Sequence, residues 1–175
     1  MMRRVLLYGI PLVTLVGLVA LLFAGMQDRD HSLPSPLIGK QPPALPEPPA
    51  GGADALASAR EQLHLINFWA SWCQPCLVEH PRLMALSREG VPIVGVNYKD
   101  RPQAAERWLQ RHGDPFSIVL RDEAGGHAID WGVYGVPETY VIGADGRVLR
   151  KHVGEIDAEF EREVLQAMRD QQEAS

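Results

Sequence analysis

The fold is decided by the stretch L-H-L-I-N-F-W-A-S-W-C-Q-P-C, residues 63–76. Its first half, Leu63–Trp69, is a short apolar run rich in strand-forming residues, which predicts a strand buried on both faces. From Cys76 to Arg88, leucine and methionine recur at roughly helical spacing and predict a helix. A C-x-x-C motif therefore stands at the junction between a buried strand and a helix.

This position predicts redox chemistry for the two cysteines. A thiol at a helix N-terminus faces unpaired N–H groups and the positive end of the helix dipole, which favour the thiolate. Thiolate is the attacking species in disulfide exchange. Cys73 is therefore the candidate nucleophile, and Cys76, one turn into the helix, is the candidate buried resolving thiol. Pro75 suits the first turn, which does not need its missing N–H.

Other uses of the two cysteines are weighed against this interpretation. A structural disulfide is possible, although so small a ring removes little entropy from the unfolded chain. A metal site would combine Cys73 and Cys76 with His80, but a closed zinc site needs a fourth ligand, and none is evident in the sequence. Covalent haem attachment requires C-x-x-C-H, and position 77 is Leu77.

The rest of the chain alternates predicted strands with predicted helices, which indicates an α/β layered sheet. The sheet should be mixed, because Asp145-Gly146 is a strong signal for an antiparallel hairpin. Asp157 is the expected N-cap of the final helix. The further predicted strands are Val91–Asn97, Ser117–Leu120, Thr139–Ile142 and Arg147–Val153, and the further predicted helices are Pro102–His112, Ala124–Trp131 and a last one ending near Gln172.

The N-terminal segment predicts a membrane anchor. Val5–Met26 has 22 residues without a charge, and about 20 apolar residues cross the hydrocarbon core of a membrane. Arg3 and Arg4 precede it, so the positive-inside rule places the N-terminus in the cytoplasm. The expected division is residues 1–4 cytoplasmic, 5–26 a transmembrane signal anchor, 27–36 a tether and 37–175 the folded domain. The local structure of Pro46–Arg60, which is rich in Pro, Gly and Ala, is left open by the sequence.

Composition excludes several classes of function. The chain has 17 basic and 22 acidic residues, a net charge of −5, and no basic run, which argues against nucleic-acid binding. Two cysteines are too few for a multi-disulfide scaffold or a four-cysteine zinc site. No metal and no cofactor are expected in the protein.

Asn67–Cys76, with Pro81 five residues past the second cysteine and Pro137 ahead of a strand, resembles the thioredoxin-like superfamily. The resemblance implies that the Val136–Pro137 peptide is cis and faces the cysteines. The interval of 61 residues between Cys76 and Pro137 is longer than in plain thioredoxins. It implies an inserted helix–strand element within a thioredoxin-like mixed sheet flanked by helices.

Two further stretches narrow the resemblance. Gly95–Asp100 (G-V-N-Y-K-D) and Gly132–Tyr140 (G-V-Y-G-V-P-E-T-Y) look like the thiol:disulfide interchange proteins of cytochrome c maturation, the DsbE or CcmG type. This resemblance implies a reductant anchored in the bacterial inner membrane with its domain in the periplasm. Its electrons would come from a membrane carrier of the DsbD or CcdA kind. It would reduce the disulfide of apocytochrome c, or of the CcmH-type partner that handles it, before haem attachment.

The resemblance also implies that Glu79 and Glu138 are the acidic residues beside the cysteines, where a carboxylate opposes thiolate formation and can hold a proton. The plainer alternatives are a first-turn helix acid for Glu79 and a solvated strand-end residue for Glu138. Trp72 is expected to flank the site as an exposed aromatic contact, and Trp69 to lie in the core. Supporting or merely structural roles are expected for Asn67, Tyr98, Lys99 and Tyr134.

Three rival functions stay open on sequence. A general thiol oxidant or isomerase would use the same residues on many substrates. A tethered metal chaperone would use Cys73, Cys76 and His80, and a non-catalytic scaffold would use none of them. The direction of electron flow is not encoded in the motif, because C-x-x-C sites span a wide range of reduction potentials.

Overall fold

The computed structural model describes residues 12–21 and 35–173. The chain divides into two units, residues 1–31 and 32–175. In the first unit, residues 12–21 form a helix. Within the part of the chain that is described, no helix is long and apolar enough to cross a membrane. Much of the predicted anchor Val5–Met26 and nearly all of the tether lie outside the described residues, so both stay predictions.

The second unit is built on one five-stranded mixed sheet, as the sequence predicts. The strand order is β3-β2-β1-β4-β5, with β1, β2 and β3 parallel and with β4 antiparallel to both β1 and β5. The strands are β1 (His64–Trp69), β2 (Ile93–Tyr98), β3 (Ile118–Asp122), β4 (Glu138–Ile142) and β5 (Val148–Val153). The helices of this unit are α1 (Ala53–Arg60), α2 (Gln74–Arg88), α3 (Pro102–His112), α4 (Gly126–Asp130) and α5 (Ala158–Glu173).

Both faces of the sheet are covered, which explains the continuous apolar character of the central strands. All six residues of β1 are buried. On one face Phe68 packs edge-on against Tyr140, with ring centroids 5.9 Å apart. On the other face Leu65 belongs to a cluster with Ile93 and with Phe160 of α5. Helices on both sides thus hold β1, and with it the C-x-x-C motif that follows it.

Helix α2 begins directly after Cys73 and is the element that presents the motif. Pro75 lies in its first turn, and the helix continues through Pro81 to Arg88. Between β2 and β4 the chain forms α3, β3 and α4, where an additional helix and strand are expected. Helix α1 is an element that the sequence left open; its Leu56 and Ala59 are buried against the sheet.

The chain enters the domain at the end of the sheet remote from the cysteines. Ile38 bridges to Val148 at the start of β5, the Gly39 N–H donates to the Val148 carbonyl (2.8 Å), and the Val148 N–H donates to the Lys40 carbonyl (3.0 Å). The cysteines follow the carboxyl end of β1, and β4 runs antiparallel to β1. The β4–β5 turn and the entry segment therefore lie at the opposite end.

Candidate active site

The two cysteines form a disulfide at the N-terminus of α2. Cys73 is the N-cap residue, and its Sγ accepts the backbone N–H of Cys76 at 3.2 Å. Both cysteines are buried, Cys73 at 4% exposure. The carbonyl oxygen of Val136 lies 3.4 Å from Cys73 Sγ. The predicted helix-terminus environment of Cys73 is therefore present, with a loop backbone directly beside the sulfur.

That loop carries the second predicted feature of the site. The Val136–Pro137 peptide is cis, as the resemblance implies. Val136 is half-buried and packs against the cluster that contains both cysteines. Glu138 follows as the first residue of β4. The strand–turn–helix of the cysteines and the loop before β4 thus meet at one end of the sheet.

An exposed aromatic residue borders the cysteines. Trp72 is 58% exposed, and its Nε1 donates to the Lys99 carbonyl at 3.1 Å. Lys99 has a left-handed φ of 45° and follows Tyr98 at the end of β2. Trp69 is buried in the core. The sequence assigned these two tryptophans correctly, one to the surface of the site and one to the interior.

Glu79 is buried within α2, where Asn67 Nδ2 donates to its Oε1 (2.8 Å) and the Ile156 N–H donates to its Oε2 (3.0 Å). Burial raises the pKa of Glu79 to about 7, despite these two hydrogen bonds, which favour the charged form. Glu79 is the sixth residue of the helix, so the alternative of a first-turn acid is wrong. Asn67 also donates to Thr139 Oγ1 at 3.0 Å, which ties Glu79 to β4.

Glu138 is fully buried, so the alternative of a solvated strand-end residue is also wrong. Its Oε2 lies 2.9 Å from Nζ of Lys151, which is buried as well. Its Oε1 accepts the Tyr134 N–H at 2.8 Å. Sequence reasoning missed Lys151, because nothing in the local sequence of β5 marks it as facing the loop before β4.

A second contact that the sequence did not predict holds the turn before Cys73 in place. The Asp100 carboxylate accepts the Ser71 N–H (2.6 Å), the Ser71 hydroxyl (2.9 Å) and Asn97 Nδ2 (3.1 Å). Burial opposes ionisation of Asp100, but the hydrogen bonds from Ser71, Asn97 and the Arg101 N–H together lower its pKa. The available signal was the G-V-N-Y-K-D stretch, which ends at Asp100.

His80 does not join the cysteines. Its Nε2 lies 3.1 Å from the Gly113 carbonyl, and its ring stands edge-on to Trp108. Burial lowers the pKa of His80. Over the described ranges, no three His, Cys, Asp or Glu side chains are grouped so that they could hold a metal ion. The geometry thus disfavours the metal chaperone built on Cys73, Cys76 and His80.

A disulfide at the start of a helix, with a cis-proline loop against it at one end of a mixed sheet, defines a thiol:disulfide oxidoreductase of thioredoxin-like fold. The sequence profile of the Redoxin family matches residues 43–168, and the chain belongs to that family. Within that family the chain is of the DsbE type of thiol:disulfide interchange proteins, as the following relatives show.

The chain is 42% identical over 161 residues to the thiol:disulfide interchange protein DsbE of Allochromatium vinosum, covering 90% of this chain and 89% of that protein. It is 40% identical over 149 residues to the thiol:disulfide interchange protein HelX of Rhodobacter capsulatus, covering 83% and 85%. Among solved structures, a putative DsbE from Chlorobium tepidum superposes with a TM-score of 0.56 at 29% identity, covering 65% of this chain and 84% of that one.

Proposed function

We propose that the protein reduces the disulfide of apocytochrome c, or of the CcmH-type partner that handles it, before haem is attached. The observation that carries this proposal is the C-x-x-C disulfide flanked by two buried carboxylates, Glu79 and Glu138, in a chain about 40% identical to DsbE-type proteins. A buried carboxyl group beside a dithiol suits proton transfer during exchange.

The chemistry is dithiol–disulfide exchange. The Cys73 thiolate attacks one sulfur of the substrate disulfide, forms a mixed disulfide and releases one substrate thiolate, which takes up a proton. Cys76 then attacks Cys73 Sγ and releases the second substrate thiol. Two electrons pass to the substrate, and the protein is left with the Cys73–Cys76 disulfide. A membrane carrier of the DsbD or CcdA kind would return it to the dithiol.

Two groups beside Cys73 support the reducing direction within this proposal. A C-x-x-C protein is a strong oxidant when its reduced form is stabilised. Here Cys73 Sγ accepts one N–H, from Cys76, and faces the carbonyl oxygen of Val136. Glu79, one turn beyond Cys76 on the same helix, adds a carboxyl group that opposes a second negative charge nearby. These two groups offset the helix N-terminus and the Cys76 N–H, which favour the thiolate, and a less stabilised thiolate makes the dithiol a better electron donor.

The residues around the cysteines take supporting roles in this proposal. The backbone at Val136 and Pro137 would hold an extended substrate segment by main-chain hydrogen bonds, a form of strand addition. Trp72 would contact the partner through its exposed ring, and Pro75 would shape the first turn of α2. Glu79 would set the protonation of the site, whereas Glu138, which is ion-paired with Lys151, would act on the choice of partner through the loop before β4.

The proposed location is the bacterial inner membrane, with residues 5–26 as a single-pass anchor and the catalytic domain on the periplasmic side. There the thioredoxin-like domain, with the α3–β3 stretch as its inserted helix–strand element, would meet both its electron donor and its substrate. Protease added to the outer face of spheroplasts should digest the domain. A domain that stays intact until the membrane is lysed would contradict this location.

The function is tested by trapping in the native cell. Cys76→Ser removes the resolving thiol, so mixed disulfides on Cys73 accumulate; Cys73→Ser is the matched control that should trap none. Thiols are quenched with acid, and the linked proteins are identified by mass spectrometry. Capture confined to c-type apocytochromes or their haem-ligation partner is expected. Broad capture of secreted proteins would indicate a general exchanger and would contradict the proposal.

A further inference from the structure

Lys151 is a buried cation that the chemistry of the cysteines does not use. It lies on β5 opposite Tyr140 in the β4–β5 register, and its side chain is 3% exposed. Lysine is almost never buried unless it is paired. The position of Lys151 therefore needs partners, and all of those that the structure shows belong to β4 and to the segment just before it.

The ammonium group of Lys151 contacts that segment at its start, middle and end. Its Nζ donates to the Gly132 carbonyl at 2.7 Å. It lies 4.4 Å from the centre of the Tyr134 ring, within the range of a cation–π contact. It pairs with Glu138 Oε2 at 2.9 Å. Residues 132–138, here called the cis-proline loop, are thus gathered around one cation.

The loop is also tied to itself through the same carboxylate. Glu138 Oε1 accepts the Tyr134 N–H at 2.8 Å while Oε2 faces Lys151. Between these two fixed points lies Val136, whose carbonyl oxygen is 3.4 Å from Cys73 Sγ. Tyr134 itself is 77% exposed, so its ring covers the ammonium from the solvent side. Through these contacts the cation is linked both to the segment that carries Val136 and to the exposed Tyr134 ring.

We infer that Lys151 is a positioning residue that holds the cis-proline loop in the geometry needed to receive a polypeptide substrate. This inference rests on the proposed function insofar as the Val136 backbone holds the substrate segment. Lys151 acts on capture of a polypeptide disulfide and leaves the thiol chemistry of Cys73 unchanged. A small disulfide, which needs no backbone contact, is therefore reduced at the ordinary rate without it.

The experiment compares full-length Lys151→Met, Lys151→Arg and wild type in their reduced forms, in single-turnover reactions with excess substrate. Here KM denotes the substrate concentration that gives half the maximal rate, and kcat denotes that maximal rate. The matched control is Arg150→Met, since Arg150 neighbours Lys151 on β5 and pairs with Glu163 of α5. Three substrates are used: a peptide with a C-x-x-C-H disulfide, a peptide of equal length without the histidine, and hydroxyethyl disulfide. The mobility of the loop is followed through hydrogen exchange at the Tyr134 amide.

For Lys151→Met we expect KM to rise about five- to tenfold for both peptides, the worth of about one main-chain hydrogen bond, with kcat within about twofold. Its rate with hydroxyethyl disulfide should stay within about twofold, and Tyr134 exchange should become faster. Lys151→Arg and the control should resemble wild type. Equal losses on peptides and hydroxyethyl disulfide, or no change in peptide KM, would overturn the inference.

A buried Glu138 left without its cation could unfold the Lys151→Met variant. The double variant Glu138→Gln/Lys151→Met removes both charges and is then compared with Glu138→Gln alone. The peptide KM of the double variant should exceed that of Glu138→Gln by the same factor. An equal KM in these two variants would contradict the positioning role of Lys151. If wild type reduces the peptides with and without the histidine equally well, the proposed preference for apocytochrome c is contradicted. The effect of Lys151 is still measured, because both peptides report it.

Discussion

The carboxyl groups of Glu79 and Glu138 are both buried near the disulfide, yet their surroundings differ. Glu79 receives two hydrogen bonds from neutral donors, and burial raises its pKa to about 7. Glu138 instead has a buried ammonium, that of Lys151, at 2.9 Å. A carboxyl group that titrates near neutral pH is suited to exchange a proton with a thiol, whereas an ion-paired one is suited to hold structure.

At the scale of the residue, Glu79 makes stability depend on pH. Its pKa in the folded chain, about 7, lies above its ordinary value of 4.5, so the folded state retains a proton that the unfolded state has lost. The free energy of unfolding therefore decreases as pH rises from 4.5 through 7. Glu79→Gln has no proton to lose at this position. The free energy of unfolding of the variant minus that of wild type should therefore increase by about 3 kcal/mol between pH 4.5 and pH 8.

Urea unfolding at several pH values measures this difference. Glu89→Gln, at the exposed end of the same helix, is the matched control for loss of one carboxylate from α2. A difference between Glu79→Gln and wild type that is independent of pH would show that Glu79 does not titrate in this range. The same variant should also lower the pKa of the cysteine thiols, since the opposing carboxylate is gone.

Sequence alone could place Cys73, Cys76 and Trp72, because each is marked by its immediate neighbours, whereas the cis-proline followed from the resemblance to the thioredoxin-like superfamily. It could not establish how Glu138 is buried. The cation that pairs with Glu138 lies 13 positions further along the chain, and the two meet only through the antiparallel pairing of β4 and β5. Burial of a charged group is decided by such long-range contacts, which a local pattern does not contain.

At the scale of the element, the turn before Cys73 is fastened to the loop between β2 and α3. Asp100 supplies that link through its hydrogen bonds to the backbone and hydroxyl of Ser71. Asp100→Ala would leave these donors without their partner, so we expect a loss of about 2 kcal/mol in the free energy of unfolding. Chemical denaturation measures it, with the exposed Asp130→Ala as control. Equal stability of the two variants would contradict the link.

Helix α5 offers a test of a cap that the sequence predicted. Asp157 Oδ1 accepts the N–H groups of Glu159 (3.0 Å) and Phe160 (2.8 Å) at the start of the helix. Asp157→Ala should lower the free energy of unfolding by about 1 kcal/mol, whereas Asp157→Ser should retain most of it. Thermal unfolding of both variants checks this, and identical destabilisation by Ala and Ser would argue against a capping role.

The helix that the sequence left open, α1, shows why local composition is a weak guide. The prolines and glycines that precede Ala53 suggest irregular structure, and the helix makes no side-chain cap hydrogen bond. It forms where Leu56 and Ala59 pack on the sheet. Tertiary burial thus decides a helix whose own sequence signals are faint.

At the scale of the whole molecule, oxidation state and stability are linked. If the environment of Cys73 stabilises its thiolate poorly, the disulfide form should be the more stable fold. Thermal unfolding of the full chain should give a higher Tm for the oxidised than for the reduced protein. A reduced protein with the higher Tm would indicate an oxidant and would contradict the proposed direction of electron flow.

The segment by which the chain enters the domain and the Cys73–Cys76 disulfide lie at opposite ends of the sheet. The segment from Ile38 to Lys40 fastens the chain to the start of β5, while the disulfide lies at the far end of β1. The sequence predicted the mixed sheet and its flanking helices, since strands and helices alternate with clear hydrophobic runs. The pairing of the entry segment with the start of β5 was not predictable, because this proline-rich segment has no periodic pattern from which a strand could be predicted.

The central claim is that Cys73 attacks the substrate disulfide and that Cys76 resolves the product. Its most direct test is to mix reduced full-length Cys76→Ser and Cys73→Ser variants with a C-x-x-C-H disulfide peptide and to follow mixed-disulfide formation by mass spectrometry. Rapid accumulation on Cys73 in the first variant, with none on Cys76 in the second, is the expected result. Accumulation on Cys76, or no adduct in either variant, would contradict the account.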